Sequence, residues 1–321
     1  MTAAPARIRS TQRPADRLFA GAALLAGSLI LLILAAVAIF LIATSLPAFV
    51  AGPEAFDEGV DNFWKYVAPL AFGTVWAAFL ALLMAVPLAV GIALFISHFA
   101  PRRLAQGLGY IIDLLAAVPS VVYGLWGIGV LAPAIRPFYV WLSNFSFIPL
   151  FAPETAEAGS GISTVSGTGR TIFTVAIVLA VMILPIITAL CREIFLQTPR
   201  LHEEAALALG ATRWEMIKMA VLPFGRSGIV SASMLGLGRA LGETMAVAMV
   251  LSPAVVISFV LTGSQNPTTI AANIALNYPE ASGIKIDILI ATGLILFVIT
   301  LVVNSVARAV VNRRKAFSGA D

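Results

Sequence analysis

The chain has 321 residues, of which 60% are hydrophobic and only 11% are charged. A mean hydropathy of +0.98 excludes a soluble globular protein and indicates an integral membrane protein. The formal net charge of +4 does not indicate binding to nucleic acid, because the basic residues flank apolar segments and form no dense patch with interleaved aromatic residues.

Six apolar runs are long enough to cross a hydrocarbon core of roughly 30 Å as helices. They lie at about residues 18–48, 68–97, 107–132, 171–191, 227–262 and 286–311. The first run is too long for the core of a cleavable signal peptide, so we expect a retained helix. Because backbone groups in lipid must be hydrogen-bonded within the segment, the sequence predicts an all-α integral membrane protein. We expect one transmembrane domain over residues 18–312, with tails at residues 1–17 and 313–321.

Lysine and arginine residues are distributed unequally between the two sides of the predicted spans. If the N-terminus is cytoplasmic, most of them, including Arg102, Arg192 and Arg314, fall on the cytoplasmic side. This bias follows the positive-inside rule, so we expect both termini in the cytoplasm and an even number of crossings. The polar segment at residues 200–226 then lies in the cytoplasm too.

The segment at residues 200–226 interrupts two apolar runs. An acid at Glu204 suits the positive end of an alanine-rich helix, and Gly210 stands where that helix would need a C-terminal cap. Thr212 is placed to cap a second helix, which Pro223 is expected to end. The pattern predicts two short helices with a turn, either as an ordinary amphipathic surface loop or as a segment that docks a partner.

Two full charges, Arg239 and Glu243, lie deep in the fifth apolar run. A charge at the centre of a bilayer costs at least ~2.5 kcal/mol unless it faces a cavity or a partner, so both residues are functional candidates. On a continuous helix their four-residue spacing places them on one face. They are expected either to neutralise each other as a structural pair or to act on an anionic substrate. In the second case Arg239 supplies the cation and Glu243 accepts a hydrogen bond from the substrate hydroxyl.

Neutral hydroxyl groups in the predicted spans are further candidates for an anion path. Ser120, Tyr123 and Thr244 can donate hydrogen bonds to an anion, although packing between helices is an equal alternative. Pro119 is expected to kink the third span. No metal site is expected, because Cys191 is the single cysteine and the two histidines lie far apart in the sequence.

The polar segment resembles the EAA loop of the permease subunits of binding-protein-dependent ABC importers. The matching residues are Glu204, Ala205, Ala206, Gly210, Leu222 and Pro223. Ala220 departs from the pattern, because that family usually has isoleucine there. The resemblance implies a type I ABC importer permease fold with six transmembrane helices, in which this loop is a coupling helix inserted into an ATP-binding subunit. The residues expected to make this coupling are Glu204, Ala205, Ala206, Gly210, Ala211 and Thr212.

Energy is expected to come from another chain. The sequence contains no Gly-x4-Gly-Lys-[Ser/Thr] phosphate loop, so ATP and Mg are expected to bind to a partner ATPase and not to this chain. We therefore expect a transport subunit and not an enzyme.

Three further segments narrow the resemblance to phosphate-uptake permeases of the PstC type. They are Val118–Leu125, Gly238–Ala246 and Ile274–Glu280. This resemblance implies a phosphate importer in a prokaryotic plasma membrane, in which Arg239 and Glu243 are tied to transport. The implied partners are a second permease (PstA-like), an ATPase dimer (PstB-like) and an extracytoplasmic phosphate-binding protein (PstS-like). The alternatives are the same architecture for sulfate or molybdate, and a stand-alone secondary transporter.

Overall fold

The computed structural model describes residues 14–56, 60–155 and 163–315. Six helices are long and apolar enough to cross a membrane, which confirms the predicted number of spans. They are Leu18–Phe49, Phe63–Phe99, Ser120–Ser143, Ile172–Leu196, Arg213–Leu241 and Ile284–Ala309. Helix α1 begins at Pro14 and the last helix runs to Lys315, so the predicted tails are helical where they are described. Residues 1–13 and 316–321 of those tails lie outside the described residues.

Most of the helices follow one another closely, and longer connections precede α6 and α11. In chain order they are α1 (Pro14–Phe49), α2 (Phe63–Leu94), α3 (Arg102–Ala116), α4 (Ser120–Trp126), α5 (Ala132–Ser143), α6 (Ile172–Leu196), α7 (Arg200–Ala208), α8 (Arg213–Met216), α9 (Leu222–Leu241), α10 (Met245–Val250), α11 (Ile270–Asn277) and α12 (Ile284–Lys315). Short 3-10 turns lie at Pro53–Ala55 and Tyr278–Glu280. Two parallel two-residue strands, β1 (Pro253–Ala254) and β2 (Asn266–Pro267), pair between α10 and α11.

Three π-helical turns let long helices continue towards prolines. They are Phe95–Phe99, Ile217–Val221 and Gly127–Leu131, and they end two residues before Pro101, Pro223 and Pro133 respectively. Pro133 and Pro223 lie inside the continuing helices, whereas Pro101 lies after the helix end. A proline inside a helix lacks an N–H group and its ring clashes with the carbonyl four residues earlier, and a wider turn relieves both problems. The expectation that Pro223 ends the second helix of the polar segment is therefore wrong. That helix runs from α8 through the π turn into α9.

The third span differs from its predicted position at residues 107–132. Helix α3 ends at Ala116, and a new helix begins at Ser120. Pro119 precedes that helix with φ −59° and ψ 140°, so it lies at the start of α4 instead of kinking a continuous helix. A proline disfavours helical angles in the residue before it, which explains the break. The membrane-spanning helix is accordingly Ser120–Ser143.

The fifth span also differs from its predicted position at residues 227–262. The helix begins earlier, at Arg213, and ends at Leu241. Gly242 follows, the short helix α10 comes next, and residues 251–269 are mostly irregular. Glycine is a poor helix former, which favours a helix end at this position. The other four predicted spans differ from the observed helices by at most five residues at either end.

The core is built around α6, which packs against α2 on one side and α9 on another. On α2 the contact face consists of alanines at every fourth position. They are Ala77, Ala81, Ala85, Ala89 and Ala93, each at most 1% exposed. Small residues on one helix face allow close backbone approach, which is typical of membrane helix packing. Helix α1 packs mainly against α12, and its apolar side chains are largely exposed.

Candidate functional site

Arg239 lies at the middle of the bundle. Gly225, near the start of α9, lies against Phe195 at the end of α6, whereas Gly236 lies against Ile187 and Ile183 at the middle of α6. Helix α9 therefore runs antiparallel to α6. Arg239 follows Gly236 by one turn, so its guanidinium group belongs to the middle depth of the spanning helices.

A cavity of about 570 Å³ between α6, α9 and α12 has Arg239 in its wall. Polar side chains from two helices share this wall, namely Ser231 and Arg239 of α9 with Asn304 and Arg308 of α12. Among the residues that the structure describes, the lining contains two guanidinium groups and no carboxylate. Two positive charges facing one cavity in otherwise apolar surroundings favour the entry of an anion.

The sequence prediction missed Arg308, Ser231 and Asn304 as members of this site. In the sequence Arg308 looks like one more of the basic residues that flank an apolar run and set orientation. Asn304 and Arg308 are four residues apart and therefore lie on one face of α12, which is a signal that the sequence does contain. The convergence of α12 with α9 was not visible in the sequence, because it depends on tertiary packing.

Arg239 and Glu243 do not form the predicted ion pair on one helix face. Within the described residues, side-chain ion pairs up to 4.0 Å are Lys65–Asp61 and His98–Glu203. Glu243 lies beyond the end of α9 and is only 8% exposed. Its Oε1 accepts a hydrogen bond from the backbone N–H of Ala246 at 3.1 Å. The carboxylate thus caps the first turn of α10, and Arg239 keeps its charge free for another partner.

Helix α4, which begins with Ser120 and contains Tyr123, packs against α10, which follows Glu243 and Thr244. A Cβ on Gly124 of α4 would lie 3.0 Å from Cα of Ala246 and 3.1 Å from Sδ of Met249, so the glycine permits close contact. Tyr123, next to Gly124 in the sequence, is buried. The Tyr123 hydroxyl donates a hydrogen bond to the carbonyl of Leu115 at 2.9 Å and so bridges the break between α3 and α4.

The other two predicted hydroxyl groups differ in their surroundings. Thr244 precedes α10, and its Oγ1 donates to the carbonyl of Gly242 at 3.2 Å. Ser120 is the first residue of α4 and is half-buried, with no side-chain hydrogen bond among the described residues. Ser120 therefore keeps its hydroxyl available, while Tyr123 and Thr244 use theirs on the backbone.

Arg170 positions α10 from the opposite end. Its guanidinium group donates to the carbonyls of Met249, Val250 and Leu251 at 3.2, 3.2 and 2.9 Å. These carbonyls belong to the C-terminal end of α10, where a cation is favourable. Asn266 holds the same region, because its Oδ1 accepts from the N–H of Ile172 and its Nδ2 donates to the carbonyl of Arg170. Helix α10 is thus capped by Glu243 at its start and by Arg170 at its end.

The polar segment forms a helix and a tight turn, as expected. Gly210 has φ +87°, and the N–H groups of Gly210 and Ala211 donate to the carbonyls of Leu207 and Ala206. This is a Schellman motif, which closes α7. Thr212 then caps α8 through a capping box, in which Glu215 Oε2 accepts from the Thr212 N–H at 2.8 Å. The turn joining the two helices is therefore fixed at both sides by local hydrogen bonds.

Helix α7 presents most of its surface to the exterior. Glu204 and Ala205 are exposed, and Ala206 is the residue that packs against the core. Leu201 is 77% exposed and Leu209 is 90% exposed. A polar contact ties α7 to the end of α2, since Nε2 of His98 lies 3.4 Å from Oε1 of Glu203. The predicted coupling residues thus form one continuous protruding unit.

The chain resembles known transport proteins in both sequence and fold. The profile of the family described as binding-protein-dependent transport system inner membrane component matches residues 85–316. The phosphate transport system permease protein PstC 2 of Mycobacterium tuberculosis is 44% identical over 95% of this chain and 95% of its own length. The PstC protein of Mesorhizobium japonicum is 38% identical, with coverage of 95% of this chain and 92% of its own.

Solved structures of ABC importers share the fold at low sequence identity. A chain of a bacterial ABC transporter involved in the import of the acidic polysaccharide alginate aligns with a TM-score of 0.57 and 18% identity. The alignment covers 92% of this chain and 99% of that chain. This likeness confirms the predicted ABC importer permease fold.

Proposed function

We propose that this chain, which belongs to the family of binding-protein-dependent transport system inner membrane components, is the permease subunit of an ATP-driven phosphate importer. The single observation that carries the proposal is the guanidinium group of Arg239, which lies at the middle depth of the bundle and has neither an ion-pair partner nor a carboxylate in its cavity lining among the described residues. A cation at that depth is costly unless it faces a cavity or a partner, and an anion passing through the cavity is a partner of the right charge. The PstC relatives, similar over nearly the whole chain, favour phosphate as that anion.

We assign the path as follows. Arg239 offers a planar fork of donors to the phosphate oxygens, and Ser120 offers a free hydroxyl near the start of α4. Arg308 with Asn304 extends the positive wall along α12. Glu243 and Thr244, which precede α10, and Tyr123 of α4 are outside the lining of that cavity. In this conformation they hold α10 and α4 in place, and a rearrangement of α10 would release the Glu243 carboxylate to accept a hydrogen bond from protonated phosphate.

We further propose that α7 faces the cytoplasm and is the coupling helix. The unequal distribution of lysine and arginine supports this orientation, with both termini cytoplasmic in a prokaryotic plasma membrane. The exposed apolar side chains of Leu201 and Leu209 suit insertion into a cleft of a partner ATPase. The ATPase dimer (PstB-like) would hold ATP and Mg, a second permease (PstA-like) would complete the path, and a phosphate-binding protein (PstS-like) would deliver phosphate outside.

The experiment is a comparison of uptake in cells that lack this subunit and in cells that regain it. Radiolabelled phosphate and radiolabelled sulfate are supplied separately, each at limiting concentration. The proposal predicts that restoring the chain increases phosphate uptake and leaves sulfate uptake unchanged. Restored sulfate uptake alone would assign the same architecture to another oxyanion. Phosphate uptake by the purified chain in vesicles, driven by an ion gradient without ATP, would contradict the importer assignment.

A further inference from the structure

A second cluster of arginines lies at the α7 end of the molecule. A cleft of about 510 Å³ is formed where the π turn after α2, the first part of α3 and the end of α6 meet. The polar side chains in its lining include Arg102, Arg192, Arg200, Asp113, Gln106 and Tyr110. In the described part of the chain this lining holds three guanidinium groups and one carboxylate, so the cleft carries an excess of positive charge.

Arg192 has a buried donor without an acceptor. Its Nε has almost no accessible surface and no hydrogen-bond partner among the described residues. Gly109 of α3 leaves the room that this side chain occupies, because a Cβ at position 109 would collide with the guanidinium group of Arg192. A buried unsatisfied donor is unfavourable. Nε is the only Arg192 nitrogen among the described atoms that is buried without a partner, so an acceptor bound in the cleft can reach the guanidinium group through its terminal nitrogens.

Arg102 and Arg200 stand where the backbone already favours an anion. They are the first residues of α3 and α7 respectively. The N-terminus of a helix carries partial positive charge and free N–H groups, so a cation there is unfavourable unless an anion binds nearby. In the described part of the chain neither arginine forms an ion pair within 4.0 Å. An arginine at the first position of each helix therefore lowers local stability, and such departures from local preference are typical of binding sites.

We propose that this cleft binds a phosphate-bearing anion, which is either inorganic phosphate or the headgroup of an anionic phospholipid. Planar guanidinium groups match the geometry of phosphate oxygens, and Gln106 and Tyr110 add neutral donors. The bound anion joins the start of α7 to α3 and α6. If α7 is the coupling helix, occupancy of the cleft restrains its movement against the bundle. That regulatory consequence rests on the proposed function, whereas binding itself does not.

The test measures binding and not uptake, so that its failure is distinguishable from failure of the proposed function. The full-length chain is purified with its partner subunits in nanodiscs, in an Arg239→Gln background that removes the cation of the path. One arm measures equilibrium binding of radiolabelled inorganic phosphate in nanodiscs of phosphatidylcholine. The other arm counts phosphatidylglycerol molecules retained after extraction from mixed nanodiscs, by native mass spectrometry.

The variants are Arg102→Gln with Arg200→Gln, whose side chains are exposed and whose loss should not disturb folding. Arg192→Gln is a second, independent variant. The matched control is Arg103→Gln, an exposed neighbour outside the cleft lining. We expect the double variant to bind phosphate at least about tenfold more weakly, the factor for 1.4 kcal/mol, or to retain one phosphatidylglycerol fewer.

Each outcome decides the proposal. A loss confined to the first arm identifies inorganic phosphate as the ligand, and a loss confined to the second arm identifies the lipid headgroup. The proposal is overturned if the double variant and Arg192→Gln match Arg103→Gln in both arms. It is also overturned if Arg103→Gln causes an equal loss, because general surface charge would then explain the binding.

Discussion

The carboxylate of Glu243 is bound to the backbone N–H of Ala246 and not to the guanidinium group of Arg239, although only four residues separate the two charges. The end of α9 at Leu241 separates them. Glu243 therefore stabilises α10, and Arg239 remains available to an anion. The two residues therefore have separate roles on either side of the helix end, and they do not neutralise each other.

We expect Glu243→Ala to destabilise the protein by about 1–2 kcal/mol, because the N–H of Ala246 loses its acceptor in a buried position. Glu243→Gln keeps an acceptor oxygen and should cost much less. Thermal unfolding of both variants in detergent measures the difference. Phosphate uptake by Glu243→Gln, which removes only the charge, should fall. Full uptake in that variant would limit Glu243 to its capping role.

Gly236→Ala should destabilise the packing of α9 on α6. The added Cβ would lie 2.7 Å from Cδ1 and 2.9 Å from Cγ1 of Ile187, and overpacking of this kind costs about 1–3 kcal/mol. Gly91→Ala is the matched control, since a Cβ on that helical glycine meets no atom within 4 Å. The thermal midpoint should fall for Gly236→Ala and stay level or rise for Gly91→Ala. Equal midpoints would contradict the close contact.

Gly210→Val should weaken coupling to the ATPase. Position 210 has φ +87°, which costs a residue with a branched Cβ roughly 1–2 kcal/mol and opens the Schellman motif that ends α7. Gly210→Asn is the control, because asparagine tolerates left-handed angles. We expect Gly210→Val to lose ATPase copurification and stimulated ATP hydrolysis, and Gly210→Asn to retain both. A difference between the two variants cannot arise from steric crowding, because a Cβ at position 210 meets no atom within 4 Å.

Arg308→Gln should lower phosphate uptake at saturating phosphate by about fivefold, which corresponds to roughly 1 kcal/mol in the barrier. The reason is the loss of one of the two positive charges that line the cavity of Arg239. Arg308→Lys keeps the positive charge, and with it the contribution of this residue to membrane orientation. It should therefore retain most of the uptake. If the glutamine variant transports at the wild-type rate, Arg308 serves orientation alone.

Much of the fold could be predicted, since run length and polarity alone indicate six spans. The predicted turn at Gly210 and the cap at Thr212 depend on local backbone chemistry, and both are present. The helix ends at Ala116 and Leu241 were missed, because apolar runs continue through them and hydropathy does not register a break. Long-range contacts such as those of Arg308 and Arg170 were also missed, since they depend on helices far apart in the sequence.

The proposed function gives Arg239 the central role, because its charge stabilises phosphate during passage through the membrane. The most direct measurement is ATP-dependent uptake of radiolabelled phosphate into vesicles that contain the assembled transporter with Arg239→Gln or Arg239→Lys. We predict that Arg239→Gln reduces uptake at least about tenfold, because a charge-assisted contact worth roughly 1.5–3 kcal/mol is lost. Arg239→Lys should retain partial uptake, and both variants should assemble normally. Wild-type uptake by assembled Arg239→Gln would contradict the claim.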